Sequence, residues 1–260
     1  MNIQPITSVD LAIAAALVLI LAALNLKTSP ALSRDIVIAA IRLVVQLSLV
    51  ALVLKFVFAE RNPLLIGGLG LIMVALAGRE VIKRMQSGKK LPGTFMVSSL
   101  SMFVSSYVIC IFCLLAIIGA DPWYHPQYAI PLLGMMLGNT LNGVTLSLNG
   151  LRDGFKVQRA LIENRLMLGE DIWNATRNLR HEAMTSAMIP TVNSMAAAGI
   201  VSLPGMMTGQ ILAGTDPALA VRYQILIFLL IAAGTGFGTY LATHFGSKQL
   251  FDKRQRLILL

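Results

Sequence analysis

An all-α, polytopic membrane bundle of about seven transmembrane helices is the fold class this sequence predicts, and three observations predict it. Of 260 residues, 56% are hydrophobic and 13% charged, about half the charge of an ordinary soluble domain, with a mean hydropathy of +0.75. The apolar stretches run to about 20 residues, the length that crosses a bilayer as a helix, and lack the period-two alternation of a barrel. Finally, Lys and Arg fall in alternate loops. Together these exclude a soluble enzyme, a disordered chain and a coiled coil.

Proline, glycine and charge punctuate the apolar runs into spans at 9–26, 36–58, 63–82, 94–118, 127–150, 188–212 and 220–244. No Lys or Arg stands in the first ten residues and Asp10 lies where a secretory leader is positive, so the first span reads as a membrane helix. The loops after the first, third and fifth spans and the C-terminal tail hold 17 of the 21 basic residues. The opposite side holds three, Lys55, Arg61 and Arg222, and Arg42 lies within the second span. That bias places the N-terminus outside and the C-terminus in the cytoplasm, and it requires an odd number of spans. The net charge of +9 is then that of cationic loops, with no nucleic-acid partner implied. Cys110 and Cys113 lie in the fourth span and read as small apolar packing residues. Trp123 and Tyr124, in the loop before the fifth span, suit an interfacial belt.

The whole chain, 1–260, reads as a single transmembrane domain. Its largest soluble piece, 151–187, places Phe155, Leu161, Ile162, Leu166, Leu168, Ile172, Trp173 and Leu179 at helical spacing among Arg, Glu and Asn. Such a segment lies on the membrane surface or docks a partner. There is no G-x-x-x-x-G-K-[ST] loop, no H-E-x-x-H and no G-x-S-x-G. His125, His181 and His244 fall in three separate regions. The chain is therefore expected to be a non-catalytic conduit or scaffold.

Polar groups at membrane depth are costly and usually face a bundle interior or a water-filled path. Arg42 and Gln46, four apart, share one face of the second span; Arg42 either snorkels to the interface or sets a positive charge beside a path or helix contact. In the fifth span Asn139, Asn142, Thr145 and Asn149 form one stripe, and Gly134 with Gly138 makes a G-x-x-x-G. The stripe serves either helix packing or a polar lining. In the sixth span Pro204 withholds a backbone donor, and Gly199 and Gly205 flank it, which favours a break. Broken helices in transporters line cavities. Asn193, Ser194, Thr208 and Gln210 add polar groups there, and Met195, Met206 and Met207 add soft sulfur.

The run IPTVNSMAAAGIVSLPGMMTGQILAGTDPALAVRYQI, with IPLLGMMLGN in the fifth span and IRLVVQL in the second, resembles the signature of the FetB-type permeases. These are membrane subunits of a small ABC transporter family associated with iron export in bacteria and related to plant half-transporters of aluminium tolerance. The resemblance implies a separate ABC ATPase subunit and two permeases with two ATPases in the bacterial inner membrane. It implies no cofactor in this chain, ATP and magnesium being bound by the partner. The loop becomes an ATPase coupling element, with Leu166, Leu168 and Trp173 as apolar knobs, Glu163 and Arg165 as rim charges, and Gly169 six residues after Glu163. The translocation path or gate would comprise Arg42, Gln46, Asn139, Asn142, Asn193, Ser194, Pro204, Met206, Met207 and Gln210, around an unspecified metal or other substrate. The rival readings are an ATP-independent transporter or channel, and a membrane scaffold or sensor.

Overall fold

Every long element is a helix, and how each begins and ends follows from local sequence. The computed structural model describes residues 6–60, 62–85, 93–252 and 256–257. Arg61, Lys89, Lys90, Lys253 and Arg254, counted in the charge bias, lie outside them.

The chain forms two compact units. In the first, α1 (Ser8–Asn25) opens on a capping box: the Thr7 hydroxyl accepts the Asp10 N–H, and the Asp10 carboxylate accepts the Thr7 N–H at 2.8 Å. The acid noted at the start of the sequence is thus a helix cap. Near the start of α2 (Pro30–Glu60), the buried Ser33 hydroxyl donates to the Ala22 carbonyl, near the end of α1, at 2.7 Å. The two helices therefore make a hairpin. Leu17, Leu43, Val44 and Leu52 stand exposed along it, as suits helices facing lipid.

The second unit contains α3 (Pro63–Arg84), a passage over Thr94–Ile118, α6 (Pro126–Met167), α8 (Arg177–Ala197) and α10 (Pro217–Lys248). The Thr94–Ile118 passage combines α4 (Thr94–Met102) and α5 (Val108–Cys113) with π-helical turns at Phe103–Tyr107 and Leu114–Ile118. Its serines turn inward, and Ser106 donates to the Thr140 hydroxyl of α6 at 3.0 Å. Lipid offers no hydrophobic drive for helices to associate, so close packing of small residues takes its place. A Cβ on Gly143 would stand 2.6 Å from Thr235 Cγ2, and one on Gly238 would stand 2.4 Å from Thr140 Cγ2.

These close approaches also fix helix directions. Gly143 of α6 meets Thr235 and Thr239 of α10, and further along Leu148 and Leu151 meet Gly246, so α6 and α10 are parallel. Gly150 meets Ala183 and Gly154 meets Leu179, so α8 runs back against α6. Likewise Gly70 meets Tyr107 and Gly78 meets Ser99, setting the 94–118 passage antiparallel to α3.

Among the described residues, six helical stretches are long and apolar enough to cross a membrane. The predicted span at 188–212 resolves instead into α8, a turn, and the short α9 (Gly205–Leu212). Because α6 and α10 are parallel, the chain between them must return, and α8 with the broken segment makes that return. The second unit thus has five passages, α8 with the broken segment being the one that is not a long apolar helix.

The break differs from expectation in its agent. Helix α8 tolerates Pro190 and ends at Ala197, where Gly199 takes φ +81°, a conformation that glycine adopts freely. Pro204 lies at the start of α9, its carbonyl accepting the Thr208 N–H. Glycine stops one helix and proline introduces the next, the usual asymmetry of helix ends.

Helix α6 also runs 17 residues past the predicted end of its span, to Met167, so the first part of the expected loop, 151–167, continues the helix. At about 63 Å it is twice the length a bilayer requires. It stops in a Schellman motif: Gly169, at φ +90°, donates to the Leu166 carbonyl and Glu170 to the Arg165 carbonyl. Asp171 then caps α7 (Ile172–Ala175) by accepting the Asn174 N–H at 2.7 Å.

Candidate functional site: a polar pocket at the broken passage

The turn that interrupts the return passage opens a pocket of about 590 Å³ among α6, α8 and α10. Asn139 and Met135 come from α6, Thr191, Asn193 and Ser194 from α8, Ser202, Pro204 and Met206 from the break, and Gln224 from α10. Five sequence-predicted residues, Asn139, Asn193, Ser194, Pro204 and Met206, thus share one pocket. A second hollow of about 230 Å³ shares Met135, Met206 and Ile227 with it and adds Gln210, Thr215, Tyr128 and Tyr223, at the ends where α6 and α10 begin. The two hollows adjoin through these shared residues, and their polar groups are set among apolar ones such as Leu203, Ile227 and Phe228.

The lining is uncharged. It offers amides, hydroxyls and the thioethers of Met135 and Met206, and no Asp, Glu, Lys, Arg or His. Backbone oxygen supplements it. The N–H groups of Ile200, Val201 and Ser202 all return to the Ala197 carbonyl. The carbonyls of Ser194, Met195 and Ala196 therefore receive no bond from the turn, among the described residues. They form the negative end of the α8 dipole, beside the pocket. Side chains tie themselves back locally: Ser194 donates to the Pro190 carbonyl at 2.8 Å and Asn139 to the Met135 carbonyl at 2.8 Å. The Asn139 Oδ1 is left available.

The remaining candidates lie elsewhere. Arg42 and Gln46 sit in the first unit, both exposed on α2. Asn142 faces α3, where its Oδ1 accepts from Arg84 Nη1 at 2.9 Å, and Arg84 also pairs with Glu80 at 3.3 Å. Thr145 is buried and donates to the Leu141 carbonyl. The stripe is a stripe on the helix, and its members face different neighbours. Gly134 has Met73 Cε 3.5 Å from its would-be Cβ and Gly138 has nothing within 4 Å, so Gly143, Gly150 and Gly154 carry the close packing of α6 instead. The Met207 side chain is half-buried, and its backbone N–H donates to Gln224 Oε1 at 3.3 Å.

Of the coupling candidates, Glu163 pairs with Arg159 at 2.9 Å, Arg165 and Leu166 are half-buried in the last turn of α6, and Leu168 is 84% exposed beside Gly169. Leu168 is a free apolar knob. Trp173 is engaged instead: its ring stacks on His244 of α10 at 4.4 Å, with the Arg180 guanidinium 4.4 Å from its centroid. Burial lowers the pKa of Arg180, and Tyr240 and Asp171 pull it back up.

Sequence reasoning missed Gln224 and Met135. Met135 stands one turn before Asn139, a signal that was present. Gln224 is a lone amide in the apolar run AVRYQILIFLL, 8% exposed, and its burial was the signal.

These features define a multi-pass helical membrane protein with a polar pocket at an interrupted passage. The chain belongs to UPF0014, an uncharacterised protein family whose model matches residues 8–251. It is 37% identical to the UPF0014 membrane protein slr1647 of Synechocystis over 84% of this chain and 83% of that protein. It is 30% identical to the probable iron export permease protein FetB of Escherichia coli over 100% of this chain and 98% of that protein. Identity to the protein ALUMINUM SENSITIVE 3 of Arabidopsis thaliana is 30%, over 94% of this chain and 88% of that one. No solved structure matches.

Proposed function

We propose that this chain is the membrane subunit of an ABC transporter that exports a metal cation, iron in the first instance. Energy comes from ATP hydrolysed by a separate ATPase subunit, and two copies of each chain form the working complex. The observation that carries this reading is the full-length similarity to the Escherichia coli protein named a probable iron export permease, joined to a polar pocket at a broken passage. Three features of the chain support it further. It has no phosphate-binding loop of its own, so the motor is external; nucleotide and magnesium are the partner's, and this chain carries no cofactor. The overlong α6, the Schellman turn and exposed Leu168 present an apolar knob on a rigid stalk, as groove docking requires. Free carbonyls at the negative end of α8, with amide oxygens and thioethers, favour a cation without binding it irreversibly.

Arg42 and Gln46 act at a helix contact or gate. Asn139, Asn193, Ser194, Met206 and Gln210 line the path, the Gly199 turn makes the break, and Pro204 starts the helix after it. The first test is copurification of a nucleotide-binding subunit, then metal flux in vesicles with hydrolysable and non-hydrolysable ATP. Flux that needs hydrolysis supports the reading, and transport by the pure chain alone overturns it.

A further inference from the structure

We propose that α10 is a rigid link closed at both ends, with a latch at the break, where Gln224 holds the first turn of α9, and a clasp at the far end, where Trp173 holds His244. The inference deepens the transport reading, on which it rests in treating the pocket as gated; the contacts stand by themselves.

The latch follows from a missing cap. The first N–H groups of any helix lack intrahelical partners, and inside a membrane each unsatisfied one is costly. Helix α9 starts at Gly205 directly after Pro204, whose side chain accepts nothing. Gln224 supplies the cap from the neighbouring helix, its Oε1 taking the Met207 N–H at 3.3 Å. This amide sits among the buried Ala220, Ile227 and Leu230 of the same helix. A polar group there is unfavourable unless engaged, and its only hydrogen bond among the described residues is to α9.

The clasp gathers three elements. The Trp173 ring lies 4.4 Å from His244 at 24°, Arg180 approaches its face, and Lys248 Nζ stands 5.1 Å from its centroid. Arg180 Nη2 also donates to the Trp173 carbonyl at 2.8 Å. The segment proposed to meet the ATPase is thereby seated on the last turn of α10.

Between latch and clasp run 20 residues of helix, about 30 Å. Helix α10 has its proline at the first position, Pro217, whereas α8 carries Pro190 inside. Although α8 covers the same distance, Pro190 interrupts its ladder and the Gly199 turn separates it from α9. A displacement at Trp173 therefore reaches α9 through α10.

The experiment uses the full chain alone in proteoliposomes, with Cys110→Ala and Cys113→Ala and one reporter, Thr191→Cys, at a buried position lining the pocket. The rate of reporter modification by a methanethiosulfonate reagent is measured. Gln224→Leu is expected to raise it about tenfold, the effect of one lost buried hydrogen bond. Met207→Pro, which deletes the donor within the first turn where proline is tolerated, is expected to match it. Gln224→Glu keeps an acceptor oxygen and should stay within about twofold of the parent. Trp173→Leu should raise the rate at a distance and add nothing in the Gln224→Leu background. Parental rates in both Gln224→Leu and Met207→Pro overturn the latch; an additive Trp173→Leu effect, or none, overturns the link through α10. With no ATPase or substrate present, failure of a partner to copurify would sink the transport reading and leave these rates readable.

Discussion

Gly143 and Gly138 stand five residues apart on α6, yet an added methyl meets opposite surroundings at the two. At Gly143 it would press on Thr235 and Thr239 Cγ2 at 2.6 and 2.8 Å, both on the rigid α10. Gly143→Ala should therefore cost about 1–3 kcal/mol through overpacking and lower the unfolding temperature in detergent. At Gly138 nothing lies within 4 Å, and alanine should gain up to about 1 kcal/mol from helix propensity. The reverse order would mean that Gly138 packs against a second copy and Gly143 yields. The asparagines divide in the same way. Asn139 lines the pocket, whereas Asn142 binds Arg84, whose side chain is half exposed, so its bond is worth little. If the pocket is the path, Asn139→Ala should impair substrate-stimulated ATPase activity of the reconstituted complex and Asn142→Ala should leave it near the parental value. Equal losses would remove the distinction.

At the scale of elements, the segment after α6 is held by backbone geometry, which makes it separable from its exposed apolar side chains. Gly169 at φ +90° would strain any substituent by about 1–2 kcal/mol, so Gly169→Ala should loosen the turn, read as faster amide exchange at Glu170. Leu166→Asp with Leu168→Asp leaves that turn intact, since the Schellman bonds are backbone bonds; if an ATPase subunit docks here, the pair should abolish its binding without affecting membrane insertion. Retained binding would move the docking surface elsewhere. Helix existence was legible because long apolar runs are a strong signal. The end of α6 was not, since Arg152, Lys156, Arg159 and Glu163 look alike in a loop and in a helix projecting into water. The break was legible as a region, but Pro204 seemed its cause because a proline was weighed as a helix breaker rather than as a helix starter. Gln224 stayed hidden for a different reason: the demand it meets arises on α9, and only the packing of α10 beside that uncapped turn makes an amide necessary.

For the whole molecule the decisive quantity is the parity of passages. Parallel α6 and α10 require α8 and the turn after it to carry the chain back, although α8 has a polar first half and is absent from the apolar helices long enough to span. Counting only the helices long and apolar enough to span, six among the described residues, would put the termini on one side. Within the second unit the packing adds the α8 return to the apolar passages; if the first unit contributes its two helices as spans, the total is odd and the 17-to-3 distribution of Lys and Arg predicts an external N-terminus and a cytoplasmic C-terminus. Reporter fusions at the two ends should therefore disagree, an alkaline-phosphatase-type reporter being active at the N-terminus and a fluorescent one at the C-terminus. A cysteine at Leu168 should be modified only from the C-terminal side and one at Trp123 only from the other, because α6 joins them across the membrane. Matching reporters at both ends would mean that the α8 return stops within the bilayer, leaving the pocket open to one face alone.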